Sequence, residues 1–123
     1  MINLLAIFIG GGLGSLFRYG ISKLSLKMVT TNFPLGTFLA NILSCILLAV
    51  AVIYFSGKIS GNMALKLFVI TGFCGGFSTF STFSLETFEL LKQGNYLIAV
   101  LNIVISVLAG VSLIFFILKN QVQ

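Results

Sequence analysis

Four stretches of this chain are too long and too apolar to be anything but membrane-crossing helices. They run roughly from Ile2 to Ile21, Gly36 to Phe55, Leu67 to Leu91 and Tyr96 to Leu118. A bilayer's hydrocarbon core requires about 20 predominantly apolar residues per helix, so four spans consume about 80 residues. A chain of 123 residues then has room for short connections and no soluble domain. The reading is an all-α membrane protein with a single transmembrane domain over residues 1–123. Composition supports it: 7% of residues are charged, where a soluble domain carries about a quarter.

The charges that remain exclude whole classes of function. Seven Lys plus Arg stand against two Glu, and Asp, His and Trp are absent. Without them there is no His-based triad, His metal cluster or Asp dyad, which argues against an enzyme. The cations sit singly near the ends of the spans, where long basic side chains reach the lipid interface. Nucleic-acid binding needs them clustered on one face, so lipid rather than nucleic acid is the expected surrounding. Cys45 and Cys74 each lie inside an apolar stretch with no C-x-x-C pairing and read as small packing residues.

Local signals mark the connections. Thr30-Thr31-Asn32-Phe33 leads into the only proline, Pro34, at a helix start,. Ser56-Gly57-Lys58 and Lys92-Gln93-Gly94-Asn95 close spans with a glycine and a cation,. The first cation is Arg18, so the first apolar run reads as a retained helix rather than a signal peptide. With four spans both termini share a side. That side would carry Lys58, Lys66 and Lys119, the other Lys23, Lys27 and Lys92. The positive-inside rule barely chooses between them. Such a chain either inserts both ways and pairs with its inverted copy or takes its orientation from another determinant.

Polar groups inside the membrane face the bundle interior or a water-filled path. On the second span Thr37, Asn41 and Ser44 share one helical face; on the fourth, Asn102, Ser106 and Gly110 do,. Gly11, Gly14 and Gly110 read as helix–helix contacts that small residues permit, while Asn41 could serve either purpose. Arg18, with only Glu86 and Glu89 as possible anionic partners, is expected to leave positive potential near a cavity. Between Thr71 and Glu86 the third span holds three glycines and six hydroxyls. Gly75-Gly76 invites a break, after which Ser78 or Thr79 could cap a restarted helix. Unpaired backbone at this depth is tolerated only within protein or against a cavity, and ions are held at such breaks. Phe77, Phe80 and Phe83 follow at every third position with hydroxyls between them. A phenyl ring's edge carries positive potential, which suits a small dehydrated anion.

The sequence resembles the Fluc (CrcB-type) fluoride channels. The resemblance rests on Gly10-Gly11 through Gly14 to Arg18, on Pro34-Leu35-Gly36-Thr37 leading to Asn41, and above all on Thr71-Gly72-Phe73-Cys74-Gly75-Gly76-Phe77-Ser78-Thr79-Phe80-Ser81-Thr82-Phe83 ending at Glu86. It implies a channel domain forming an antiparallel, dual-topology homodimer with two fluoride pores, exporting cytoplasmic fluoride passively across the cell membrane. It implies pore roles for Phe80, Phe83 and Asn41, a hydroxyl track of Ser81 and Thr82 with Thr37 nearby, and a vestibule role for Arg18. Asn102 and Ser106 are expected to face the pore. A structural sodium ion is implied at the third-span break, on the main-chain carbonyls of Gly75 and Ser78. Ser78 stands where many members have Thr, and Ser44-Cys45 where glycine is common. The alternatives are a dual-topology small cation exporter, which needs a mid-membrane carboxylate, and a structural membrane subunit that moves no ion.

Overall fold

A computed structural model describes residues 1–57 and 61–121; Lys58 of the charge count lies outside them. All regular structure among these residues is helical. Helix α1 spans Ile2–Met28, α2 Leu35–Ser56 and α3 Met63–Lys66. A π-helical segment, Leu67–Cys74, continues α3 directly into α4, Gly75–Phe77. After an interruption α5 spans Phe80–Lys92, and α6 spans Tyr96–Leu118. Four units are long and apolar enough to cross a membrane: α1, α2, the composite Met63–Lys92 and α6. The chain is a multi-pass membrane protein.

Helix α1 runs seven residues past the expected end at Ile21. At about 1.5 Å per residue its 27 residues are longer than a hydrocarbon core of about 30 Å, enough to span it tilted or to reach past it. In the added turns Ser25 faces inward: it is buried and its hydroxyl donates to the Ile21 carbonyl at 2.8 Å,. At the other sharp end, Gly94 adopts φ 81°. The Gly94 amide bonds the Leu91 carbonyl and the Asn95 amide the Leu90 carbonyl, the paired bonds of a Schellman cap. The glycine signal in Lys92-Gln93-Gly94-Asn95 is therefore a left-handed helix stop.

The core contact is backbone against backbone. A methyl on Gly10 would strike the Phe68 carbonyl, and one on Gly14 the Phe73 carbonyl. From the facing segment, a methyl on Gly72 would come within 2.8 Å of the Ile7 carbonyl, and one on Gly76 would strike the Gly11 carbonyl. Gly10-x3-Gly14 thus meshes with Gly72-x3-Gly76. Lipid tails are as apolar as side chains, so membrane helices associate through such close packing rather than by the hydrophobic effect. Gly110 also makes a helix contact, its missing methyl 3.3 Å from Cys45 Sγ. The Gly11 backbone also lies in the mesh, against Gly72 and Gly76. A methyl on Gly11 itself would sit at an ordinary 3.8 Å from the Gly72 carbonyl, so it is Gly10 that has no room for a side chain.

The mesh also relocates the expected break. Gly75-Gly76 does not interrupt the third span: Gly75 is helical at φ −65°, ψ −37° and Gly76 lies within α4. Glycine is needed at 76 for the approach to α1, not for chain reversal. The interruption falls two residues later, where Ser78 (φ −83°, ψ 153°) and Thr79 (φ −151°, ψ 122°) are both extended.

Two substitutions on α1 separate mesh from helix propensity. Gly14→Val should abolish monodisperse protein in detergent size exclusion, because overpacking costs about 1–3 kcal/mol even where side chains can yield and here backbone stands in the way. Gly12→Val, with nothing within 4 Å, should elute as wild type.

Candidate functional site

The break is built from hydroxyls and one amide side chain. Three donors converge on the Cys74 carbonyl: the Ser78 amide, the Ser78 hydroxyl and the Ser44 hydroxyl, each at 3.0 Å. They cap the end of α4. Thr79 starts α5, its hydroxyl accepting from the Thr82 amide at 3.4 Å, an N-cap. The Thr79 amide would bond the Gly75 carbonyl in a continuous helix. It donates instead to Asn41 Oδ1 at 2.9 Å, so a side chain of α2 holds the third span open. With Oδ1 so engaged, the Nδ2 donors of Asn41 are left for the space beside it.

That space is a groove of about 260 Å³ lined by Asn41, Cys45, Ser78, Thr79, Phe80, Phe83, Ser106 and Val107. The Phe80 and Phe83 rings stand 5.9 Å apart and tilted by 35°. Phe80 is 80% exposed. Phe77, the third member of the stripe, is 2% exposed and packs among Phe17 and Phe73. One residue before the break the stripe is core; after it, the stripe is groove wall. No charged side chain lines this groove among the described residues.

A second cluster occupies another face of α5. The Thr79 and Ser81 hydroxyls are 3.1 Å apart, Thr79 reaches Thr82 at 3.5 Å, and Arg18 Nη1 donates to Thr82 Oγ1 at 3.5 Å. Arg18 Nε is buried without a partner, so the guanidinium keeps donor capacity beside the hydroxyls. Farther along α5, Thr37 donates to Glu86 Oε1 at 2.8 Å, and Glu86 Oε2 is buried without a partner. Glu86 and Glu89 line a cavity of about 290 Å³ at the mouth between α1, α2 and α5, with Ser22, Ser25, Asn32 and Gln93 among its walls.

The chain matches the family described as CrcB-like protein, Camphor Resistance (CrcB), over residues 5–118. It belongs to the CrcB-like family. Curated relatives include the fluoride-specific ion channel FluC of Pyrococcus abyssi (strain GE5 / Orsay), 47% identical over 113 residues, which cover 90% of this chain and 89% of the relative. The protein of the same name from Phocaeicola vulgatus (strain ATCC 8482) is 47% identical over 111 residues, 90% and 91% of the two chains. That from Coxiella burnetii (strain CbuK_Q154) is 41% identical over 107 residues, 86% of each. The family resemblance read from the motifs is therefore borne out.

In this CrcB-like chain the expected site residues fall into three places. Asn41, Phe80, Phe83 and Ser106 share the groove; Ser81, Thr82 and Arg18 form the hydroxyl cluster; Thr37 lies with Glu86 at the mouth. Asn102 differs from its expected position facing the pore. It is 1% exposed, and its Nδ2 donates to Thr87 Oγ1 at 3.0 Å, behind the groove rather than on its wall. A polar amide at that depth takes the partner on the neighbouring helix because lipid offers none. Thr79 was legible only as a cap, although its hydroxyl and amide connect both clusters; three hydroxyls within four residues after the glycines was the available signal. Cys45, read as packing, also lines the groove.

Thr79→Ala should lower thermal stability by about 1 kcal/mol, the usual loss for a missing N-cap. Thr79→Ser should retain it, as followed by the unfolding midpoint in detergent.

Proposed function

We propose that this CrcB-like protein is a fluoride-selective channel, not an enzyme or pump, through which cytoplasmic fluoride leaves down its gradient. The single observation behind this reading is the uncharged groove at the helix break. Asn41 Nδ2, the Ser106 hydroxyl and the ring edges of Phe80 and Phe83 meet there without a fixed cation. Such donors replace part of an anion's hydration while binding weakly enough to release it. Arg18 supplies positive potential beside Ser81 and Thr82, drawing the anion toward the hydroxyl track. The relatives' names, fluoride-specific ion channels, support this reading over the cation exporter and the structural subunit.

One chain supplies only parts of a pathway. The Phe face and the hydroxyl face of α5 diverge, Phe80 is 80% exposed, and Gly75 is exposed with nothing within 4 Å of a built Cβ. A second, inverted copy would set its hydroxyl face against this chain's phenylalanines and yield two pores per homodimer. The near-even lysine distribution supports dual insertion. A sodium ion at the break fits the donor set. The Gly75 carbonyl loses its helical amide donor to Asn41, Ser78 is extended, and hard cations take oxygen ligands. Main-chain oxygens of Gly75 and Ser78 from both copies would hold it, and it would supply an electrostatic tie between them.

The decisive experiment is efflux from liposomes loaded with potassium fluoride, read by a fluoride electrode after valinomycin. Fast, ionophore-dependent fluoride efflux with little chloride efflux from matched vesicles is expected; no fluoride efflux from verified dimers overturns the reading. Phe80→Ile should slow efflux by about tenfold, the upper end of what an aromatic contact contributes beyond burial. Asn41→Asp keeps an acceptor for the Thr79 amide but replaces the Nδ2 donors by negative charge. It should therefore yield assembled protein with efflux abolished. Dual topology predicts that C-terminal phosphatase and fluorescent-protein fusions are both active in cells.

A further inference from the structure

Asn102 is the only large side chain among the described residues that is less than 2% exposed, and it is polar. Its amide joins two helices and both walls of the groove. Ser106 Oγ, on the α6 wall, donates to Asn102 Oδ1 at 3.4 Å. Asn102 Nδ2 donates to Thr87 Oγ1 at 3.0 Å. Thr87 Oγ1 in turn donates to the Phe83 carbonyl at 2.8 Å, and the Phe83 ring is the opposite wall. Ser106 and Phe83 both line the groove, so the chain of bonds runs behind it from one wall to the other.

We infer that Asn102 is a positioning residue that sets the separation of Ser106 from Phe83, and with it the size of anion the groove accepts. This rests on the fluoride-channel reading. The physical grounds are the depth and the absence of substitutes. The break frees α5 from α4, so α5's placement depends on what binds it from the side. Asn102 is 1% and Thr87 8% exposed, so solvent does not readily replace a lost partner, and Thr87 fills both its acceptor and its donor roles only with Asn102 present. An aliphatic side chain of similar volume would fill the space but leave the two walls joined by contact alone. Asn102 does not touch the anion; it acts through Ser106 and through Thr87 on Phe83. Interhelical hydrogen bonds in membranes contribute modestly to stability, so a variant lacking this one is expected to assemble.

The test pairs selectivity with local exchange. Asn102→Leu and Thr87→Val should each lower the ratio of fluoride to chloride efflux from liposomes by about three- to tenfold, the range one such bond supports. The double variant should fall no further than the singles. Thr87→Ser, which keeps the hydroxyl, should return the ratio toward wild type. In parallel, amide hydrogen exchange over 80–92 should speed up in Asn102→Leu and Thr87→Val but not in Thr87→Ser. An unchanged efflux ratio in assembled Asn102→Leu, or equal behaviour of Thr87→Ser and Thr87→Val, overturns the positioning role. If the wild type itself moves no fluoride, the channel reading fails. In that case unchanged exchange in Asn102→Leu overturns the brace as well, and faster exchange leaves it standing as a device that positions α5.

Discussion

A helix that stops inside hydrocarbon leaves an amide with nowhere to donate, and this fold turns on how one such amide is placed. Water cannot take it, and an unpaired amide at that depth would cost several kcal/mol. The bond from Thr79 to Asn41 resolves this and has consequences in three directions. It frees the Gly75 carbonyl, it lets α5 leave on a new course with Phe80 and Phe83 turned into the groove, and it fixes which end of the Asn41 amide faces that groove. A water-exposed loop could have reached the same backbone shape. In a bilayer the shape requires a partner on another span, and α2 supplies it.

The partner works only if the third span is held in register, and on its α1 side glycine does this. Gly10 and Gly14 against Gly72 and Gly76 bring two backbones together without a side chain between them. Packing of that kind does not tolerate sliding, because each methyl-sized step meets a carbonyl. The same register places Arg18, one turn beyond Gly14, against Thr82 on the far side of the break. The α1 glycines therefore position the guanidinium as well as the helices. A charge that would be expensive on a lipid-facing surface is instead half-buried beside hydroxyls.

Much of this was legible in the sequence because bilayer thickness and polar economy act on every residue. The four spans, the Gly94 stop and a cap at Ser78 or Thr79 follow from length, hydropathy and spacing, whereas the grouping of Asn41 with Phe80 and Phe83 comes from the family resemblance of the motifs. Other features were hidden where one residue type answers to two demands. Gly75-Gly76 reads as flexibility, yet Gly76 is there for close approach; the sequence carries no sign of which, except the matching Gly-x3-Gly on α1. Phe77 belongs to the same three-residue period as Phe80, but the period ends at the break, so Phe77 joins Phe17 and Phe73. Asn102 and Ser106 share a helical face, and a face is too coarse to tell the wall of a groove from the layer behind it. That distinction depends on Thr87, fifteen residues away, which no periodicity within α6 reveals.

The charge distribution around α5 is the last constraint, and it argues for neutral recognition. A cation in the groove would hold an anion too tightly to let it leave, since the attraction of unit charges in a medium of low dielectric grows to many kcal/mol. This chain keeps Arg18 on a different face from the groove, and its two carboxylates line the cavity between α1, α2 and α5. What lines the groove is an amide whose oxygen is already engaged, hydroxyls that can rotate between partners, and two phenylalanine rings. These are weak donors, and the Ser106 hydroxyl has an alternative partner in Asn102. Weak donors select by distance rather than by charge, so under the proposed channel reading the separation of the walls would carry the discrimination, and the bonds behind them would set it.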